Sequence, residues 1–344
     1  MINVGIIGAG FIGRNHFNQY EALAERARVV AISDRVEARR LGDWSEVGGN
    51  VGDMQGTRRD LKGAKPYADW RELIADPAVQ MVDICTPTYL HAEMAIAALE
   101  AGKHVLCEKP MALTVEECDE MLKAAAKAKG KFMIAQCIRF WPECAFVKQC
   151  IEDGRYGALK AVNLRRQAST PGYSFENWLL DPSLSGGAIL DLHVHDVDYT
   201  LWLLGKPQAV TAQAATRAGT NSYDRVHSLW HYPDGPVVQI EGFWDMPDGF
   251  GFNMGLTILF EKAAIVWDLC TGKPMTVFRQ GEKTGEVPEV GANTGYFNEI
   301  EYFLDCIEKD RTPTVSTPQQ SRDAVMIALA EKQSATTGKT VTIA

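Results

Sequence analysis

Two short stretches carry the side chains best suited to acid–base chemistry. Residues 102–110 read Gly-Lys-His-Val-Leu-Cys-Glu-Lys-Pro. The apolar run Val105-Leu106-Cys107 has the pattern of a buried strand, and it ends in an acid, Glu108, and a base, Lys109. Open α/β sheets bind ligands at the carboxyl ends of their strands. Pro110 disfavours a helical Lys109, so the ammonium is presented rather than wound into a helix. Taken alone, the string fits equally well a strand end whose charges simply face water.

The second stretch, residues 185–198, reads Ser-Gly-Gly-Ala-Ile-Leu-Asp-Leu-His-Val-His-Asp-Val-Asp. As a strand it would put Asp191, His193 and His195 on one face, a metal-ligand pattern. As a helix it puts Asp191 and His195 four residues apart on one face with Asp198, and His193 elsewhere. Apolar Val194, Val197, Leu201 and Leu204 run on to Gly205, which favours the helix, with Gly205 closing it. No metal site is therefore expected, and His193 is read as a satisfied helix histidine. Asp191 and His195 form a candidate catalytic pair, the carboxylate orienting an imidazole that takes and returns a proton near neutral pH.

A nucleotide site is written nearer the N-terminus. Gly8-Ala9-Gly10-Phe11-Ile12-Gly13 is G-x-G-x-x-G directly after a strand pattern and opening a helix. The first glycine permits the tight turn, the second lets a pyrophosphate approach the backbone, and the third lets helix and strand pack closely. The helix N-terminus then faces the phosphates. Asp34, 21 residues past Gly13, ends the second strand, where an acid binds the adenosine ribose. Asp34 favours NAD. Arg35, followed by Arg39 and Arg40, keeps NADP open, because an arginine there can stack on adenine or pair with a 2′-phosphate. Thr86 and Pro87, ending a third strand, fall near the nicotinamide half, with His91 as a further contact or simply the start of a helix. Gln136, ending the strand pattern 131–136, is counted with the cofactor-facing residues.

The elements that must position these groups alternate over the first part of the chain. Strand patterns at Val4–Ile7, Val29–Ser33, Met81–Thr86, Val105–Cys107 and Lys131–Gln136 are separated by helical ones at Arg14–Arg26, Leu90–Ala101 and from Thr114 to Gly130. This predicts a doubly wound parallel sheet over residues 1–136. From 137 to 344 the style changes to a second α/β domain. Strands at Leu159–Gln167, Ala209–Thr216, Val226–Tyr232, Val237–Phe243, Asn253–Phe260 and Ala263–Asp268 are joined by hairpin signals such as Pro233-Asp234-Gly235. Helices are expected at about 143–153, 188–204, 294–309 and 317–335, and Thr271–Asn293 reads as loop. A large, mostly antiparallel open sheet covered on one face needs cover on the other, which predicts oligomerisation.

Composition excludes several classes. The chain has 344 residues and a net charge of −9, which disfavours nucleic acid and anionic membranes as partners. No apolar stretch reaches a membrane span, and no secretory signal is visible. The eight cysteines show no C-x-x-C pairing and read as reduced thiols of a cytoplasmic protein.

Together, Gly8–Gly13, Thr86-Pro87, Gly102–Pro110 and Gly186–Asp198 resemble the Gfo/Idh/MocA oxidoreductases. So do Arg139-Phe140-Trp141-Pro142 and the segment Tyr296–Ile307. The resemblance implies a Rossmann domain, a second domain with a large open sheet, and a homodimer or homotetramer formed through that sheet. It assigns Lys109 to the substrate oxygen and the nicotinamide region, and Asp191 with His195 to proton transfer. It has Glu108 help position the cofactor. Leu192 and His193 depart from the Ile-Gly often found there, which implies a narrower pocket. The implied reaction is hydride transfer between nicotinamide and a secondary alcohol or carbonyl of a sugar or polyol. Reduction of an imine, enone or keto-sugar is the variant within the same class. Arg139, Trp141, Arg166, Trp178 and Tyr296 flank the motifs and are candidate substrate contacts. The rival from another class is a non-catalytic nucleotide sensor on the same fold. Such a protein has no need of Lys109 together with Asp191 and His195.

Overall fold

A computed structural model describes residues 1–50, 57–217 and 222–343. Two compact units are present. The first comprises Met1–Cys137, Tyr173–Trp178 and Thr294–Arg322; the second comprises Ile138–Gly172, Leu179–Asn293 and Asp323–Ala344.

In the first unit, β1 (Ile2–Ile7), β2 (Ala27–Ser33), β3 (Lys65–Tyr67), β4 (Met81–Ile84), β5 (His104–Glu108) and β6 (Phe132–Ala135) form a six-stranded sheet in the order β3-β2-β1-β4-β5-β6. Every pair is parallel. Every residue of β4 and β6 is buried, as expected of a parallel sheet with helices on both faces. The sequence pattern missed β3. It is three residues long, contains Pro66 and lies at the sheet edge, the one place a strand tolerates proline.

Thr114 opens its helix with a capping box. Its hydroxyl accepts from the Glu117 amide, and the Glu117 carboxylate accepts from the Thr114 amide. That helix, Val115–Lys127, stops short of Gly130. Gly130 is no cap: a Cβ there would stand 1.9 Å from the Lys103 carbonyl oxygen, so the residue is small to let two backbones meet.

The first unit also takes in a late segment that a domain boundary at 137 leaves outside it. The helix Gly295–Glu308 belongs there, and its buried Glu299 comes 3.9 Å from His16 on the first helix, Phe11–Ala22.

In the second unit, β7 (Leu159–Ser169), β8 (Ala209–Ala215), β9 (Arg225–His231), β10 (Val237–Met246), β11 (Phe252–Phe260), β12 (Ala263–Asp268), β13 (Thr276–Arg279) and β14 (Val341–Thr342) build one sheet in the order β13-β12-β11-β7-β10-β9-β8-β14. All pairs are antiparallel except β7 with β10. β13 lies within the stretch read as loop.

One face of this sheet is core, with Val162, Leu164, Val226, Trp230, Ile240, Ile258 and Ile265 all buried. The register carries the other face across the strands. Leu229 pairs with Gln239, Gln239 with Asn163, Asn163 with Thr257, Leu259 with Ala264 and Ala264 with Phe278. Leu229, Val237, Leu259 and Phe278 therefore share that face, and all are exposed.

All eight cysteines are unbridged, and six are buried. No described helix is long and apolar enough to cross a membrane.

Candidate active site

The glycine loop is built as its spacing requires. Gly8 has φ +93°, a left-handed conformation, and a Cβ there would meet the Cys85 carbonyl oxygen at 2.6 Å. A Cβ on Gly13 would stand 1.9 Å from the Gly8 carbonyl oxygen. Gly10 differs: nothing lies within 4 Å of where its Cβ would be. The backbone at Gly10 is thus open to an approaching group. Gly10 is also the N-cap of the first helix, and no side chain caps it. Its orphaned amides are a ready anion site. These features fit the pyrophosphate of a dinucleotide.

Asp34 is set by two backbone amides. Oδ2 accepts from Ala9 N at 2.8 Å and Oδ1 from Val36 N at 2.8 Å. The carboxylate is therefore anchored at the loop itself, where the acid of this motif accepts hydrogen bonds from a ribose diol. Arg35 is engaged by its own chain. Its guanidinium lies 4.5 Å from the centre of the Phe175 ring and pairs with Glu176; Arg39 lies 4.6 Å from the same ring. The segment Tyr173–Trp178 supplies both partners, and its Tyr173 meets Phe11 edge-on at 6.3 Å.

At the end of β5, Glu108 is buried and Lys109 partly exposed. Glu108 Oε2 accepts from the Lys109 amide at 3.0 Å. The next turn is braced by His91. One ring nitrogen is 2.8 Å from the Pro110 carbonyl and the other 2.9 Å from the Thr86 carbonyl. Burial lowers the pKa of His91. A neutral imidazole donates to one of these carbonyls only, so the ring sits between the Thr86-Pro87 turn and the Lys109-Pro110 turn with a hydrogen bond to one of them. Gln136 is likewise interior, its amide 3.5 Å from the Ser321 hydroxyl.

In the second unit, residues 189–204 are helical, as the apolar spacing predicted, and the strand that a metal site needed is absent there. The helix opens with a π turn, Ile189–His193, which carries Asp191 and continues as Val194–Leu204, which carries His195. Asp191 and His195 are partly exposed. His193 is fully buried. Its Nε2 lies 2.8 Å from Glu331, whose other oxygen accepts from Trp230 Nε1 at 2.6 Å. A Cβ at Gly242 would come within 3.0 Å of the His193 side chain, so glycine there admits the imidazole.

The arginine candidates have carboxylate partners in the interior. Arg139 grips Asp198 with two bonds of 2.7 Å, and Arg166 grips Asp196 at 2.8 and 3.0 Å. Both arginines are almost fully buried. These pairs hold the helix Val194–Leu204 in place. Trp141 caps the helix Pro142–Glu152 and is partly exposed, as is Trp178. Tyr296 is partly exposed, with its ring 6.2 Å from that of His16.

Sequence reading passed over one group of residues. His16, Asp83 and Glu299 are each 0% exposed, and Asp83, Glu108 and Glu299 converge on the His16 ring. The signal was there: an aspartate inside the apolar strand Met81–Ile84 needs a buried partner.

Comparison with known proteins agrees with this geometry. Residues 2–136 match a family model described as an oxidoreductase family with an NAD-binding Rossmann fold. Residues 145–266 match the GFO/IDH/MocA C-terminal domain. A levoglucosan dehydrogenase from Pseudarthrobacter phenanthrenivorans is 34% identical over 222 residues, covering 62% of this chain and 54% of that one. Inositol 2-dehydrogenase 2 from Saccharopolyspora erythraea is 30% identical over 272 residues, 77% of this chain and 72% of that enzyme. Among solved structures, levoglucosan dehydrogenase in complex with NADH and levoglucosan superposes with a TM-score of 0.83 at 25% identity, over 99% of each chain.

Proposed function

The chain belongs to the Gfo/Idh/MocA family of NAD(P)-dependent oxidoreductases, and from that premise we propose that it acts on a secondary alcohol or carbonyl of a sugar or polyol. The observation that carries this reading is Lys109, held by Glu108 at the carboxyl end of β5 in the unit that bears the glycine loop. Nicotinamide, when bound, supplies the hydride acceptor or donor. His195 takes the hydroxyl proton on oxidation and returns it on reduction, with Asp191 orienting the ring. Lys109 stabilises the negative charge that develops on the same oxygen. Thr86 and Pro87 line the nicotinamide side. Trp141, Trp178 and Tyr296 remain the candidates for contacting the sugar.

The direct test is a panel of sugars and polyols, with inositol and levoglucosan among them, offered with NAD and with NADP. The reduced cofactor is followed by its absorbance. Turnover on at least one member is expected. Silence across the panel with intact NADH binding would favour the sensor.

Asp34 supports NAD as the preferred cofactor. A 2′-phosphate would meet its carboxylate, and like-charge contact costs several kcal/mol. Arg35 pairs with Glu176. Asp34→Ser is therefore expected to raise the NADP-to-NAD ratio of kcat/KM by about tenfold or more, equivalent to about 1.4 kcal/mol. An unchanged ratio would remove Asp34 from cofactor selection.

A cytoplasmic homodimer or homotetramer fits the open face of the second sheet, where Leu229, Val237, Leu259 and Phe278 stand exposed. The double variant Leu259→Asp/Phe278→Asp is expected to elute as a monomer in light-scattering chromatography. A wild-type mass for that variant would move the interface elsewhere.

A further inference from the structure

Seven titratable side chains crowd one interior point of the first unit. His16 and Tyr20 come from the first helix, Asp83 from β4 and Cys85 just after it, Glu108 from the end of β5, and Tyr296 and Glu299 from the helix Gly295–Glu308. His16 Nδ1 lies 2.9 Å from Asp83 Oδ2, which also accepts from the Tyr20 hydroxyl at 2.8 Å. The Cys85 thiol donates to Asp83 Oδ1 at 3.4 Å. On the far side of the ring, Nε2 stands 3.2 Å from Glu108 Oε1 and 3.9 Å from Glu299 Oε1. The 3.2 Å contact is within ion-pair range, although its angle is not that of a hydrogen bond.

We propose that His16 is a positioning residue for Lys109: as an imidazolium between Asp83 and Glu108, it fixes the carboxylate that holds the Lys109 amide. This rests on Lys109 acting at the reacting oxygen. The linkage runs through one side chain. Glu108 Oε1 faces His16, and its Oε2 accepts the Lys109 N–H at 3.0 Å. A carboxylate pinned at one oxygen by a buried cation has one orientation to offer the other. Without the cation, Glu108 loses its interior partner and the Lys109 turn loses its anchor. Misplacing a catalytic group by about 1 Å can cost about 100-fold in rate.

Charge supports an imidazolium here. Three buried carboxyl groups cannot all stay ionised without a cation among them. Burial, the largest single effect, pulls the His16 pKa down, but the Asp83 charge, the neighbouring Cys85 and the hydrogen bonds to both together outweigh it, leaving His16 well above its usual value. Burial and then the Glu108 charge push Glu299 well above the carboxylate range, which favours its protonated form. His16, with its pKa raised, is an imidazolium at neutral pH and loses its proton only as pH rises. The clamp therefore fails on the basic side. The His16, Glu108 and Glu299 ligand atoms lie within 4.8 Å of one another, a spacing a divalent cation could also bridge. Elemental analysis distinguishes such an ion from the proton.

The test uses the full-length protein. Histidine-selective ¹⁵N NMR, assigned by comparison with His16→Gln, should show His16 doubly protonated at pH 7.5. His16→Gln should lower kcat about 10- to 100-fold with levoglucosan or inositol and NAD, while the NADH Kd stays within about twofold. Glu299→Gln keeps the shape of the protonated acid. It should retain kcat at pH 7 and move the basic limb of the pH profile to lower pH, because Glu299 can no longer ionise in support of His16. A neutral His16 at pH 7 overturns the proposal. So does wild-type kcat in a folded His16→Gln, an unmoved basic limb in Glu299→Gln, or stoichiometric metal by elemental analysis. If His16→Gln does not fold, the histidine resonance perturbed in Glu299→Gln identifies His16, and its titration and the Glu299→Gln pH profile decide; if neither substrate turns over, the NMR titration decides alone. Full turnover in Lys109→Ala would bring down the functional reading and this one with it. An inactive Lys109→Ala beside a fully active His16→Gln brings down this one alone.

Discussion

Lys109→Ala and His195→Ala are each expected to cut kcat about 10²- to 10⁴-fold while NADH binds nearly as before. The two losses have different causes. Lys109 would supply positive charge to an oxygen that becomes negative as its proton leaves on oxidation, or as hydride reaches its carbon on reduction. His195 takes the proton that would otherwise stay on that oxygen. Lys109→Arg is a sharper probe than alanine. It keeps the charge but replaces a compact ammonium by a planar fork, so partial activity is expected. Lys109 is partly exposed, and so is His195, so neither alanine leaves a large cavity and both variants should fold. The measurement is steady-state kinetics alongside fluorescence titration of NADH. Wild-type turnover in either variant removes that residue from the chemistry. Loss of NADH binding in step with turnover would make it a cofactor ligand instead.

The second large effect is a contrast between two glycines of one motif. Gly10→Ala places its methyl in open space, with no atom within 4 Å. Stability should change by about 0.5 kcal/mol or less, as for a surface site. NADH affinity should fall about tenfold or more, about 1.4 kcal/mol, because the methyl stands where a pyrophosphate would approach. Gly13→Ala is the reverse case. Its methyl meets the Gly8 carbonyl at 1.9 Å, a backbone atom that cannot swing aside. Overpacking of this kind costs about 3 kcal/mol or more, and Tm should drop by about 5 °C or more. Thermal melts with and without NADH separate the two. An unchanged Kd in Gly10→Ala would mean that the loop does not hold phosphate.

The glycine loop, Asp34 and the β5 end were legible because each is local: a handful of adjacent residues states both the turn and its chemistry. The helix from 188 to 204 was legible for the same reason, since its apolar spacing favours 3.6 over 2. What stayed hidden depends on partners distant in sequence. His16 and Asp83 are 67 residues apart, and Arg139 and Asp198 are 59 apart. Nothing near Arg139 or Arg166 shows that each has a buried carboxylate waiting, so both looked like ligands for substrate. His91 stood open between a cofactor contact and a helix start because nothing local reveals that two carbonyls from separate turns face its ring. The late helix Gly295–Glu308 joins the first unit through contacts no composition shift announces.

The π turn at Ile189–His193 has a meaning for how such a protein could be silenced. A π turn is an α-helix that has taken in one extra residue, and such turns often mark functional sites. Each residue in a helix turns the chain by about 100°. Removing one residue between Asp191 and His195 would therefore turn the carboxylate by about 100° about the helix axis relative to the imidazole while leaving both residues in the chain. A relative of this protein one residue shorter at that point would be a good place to look for a fold that keeps its nucleotide and has given up its reaction.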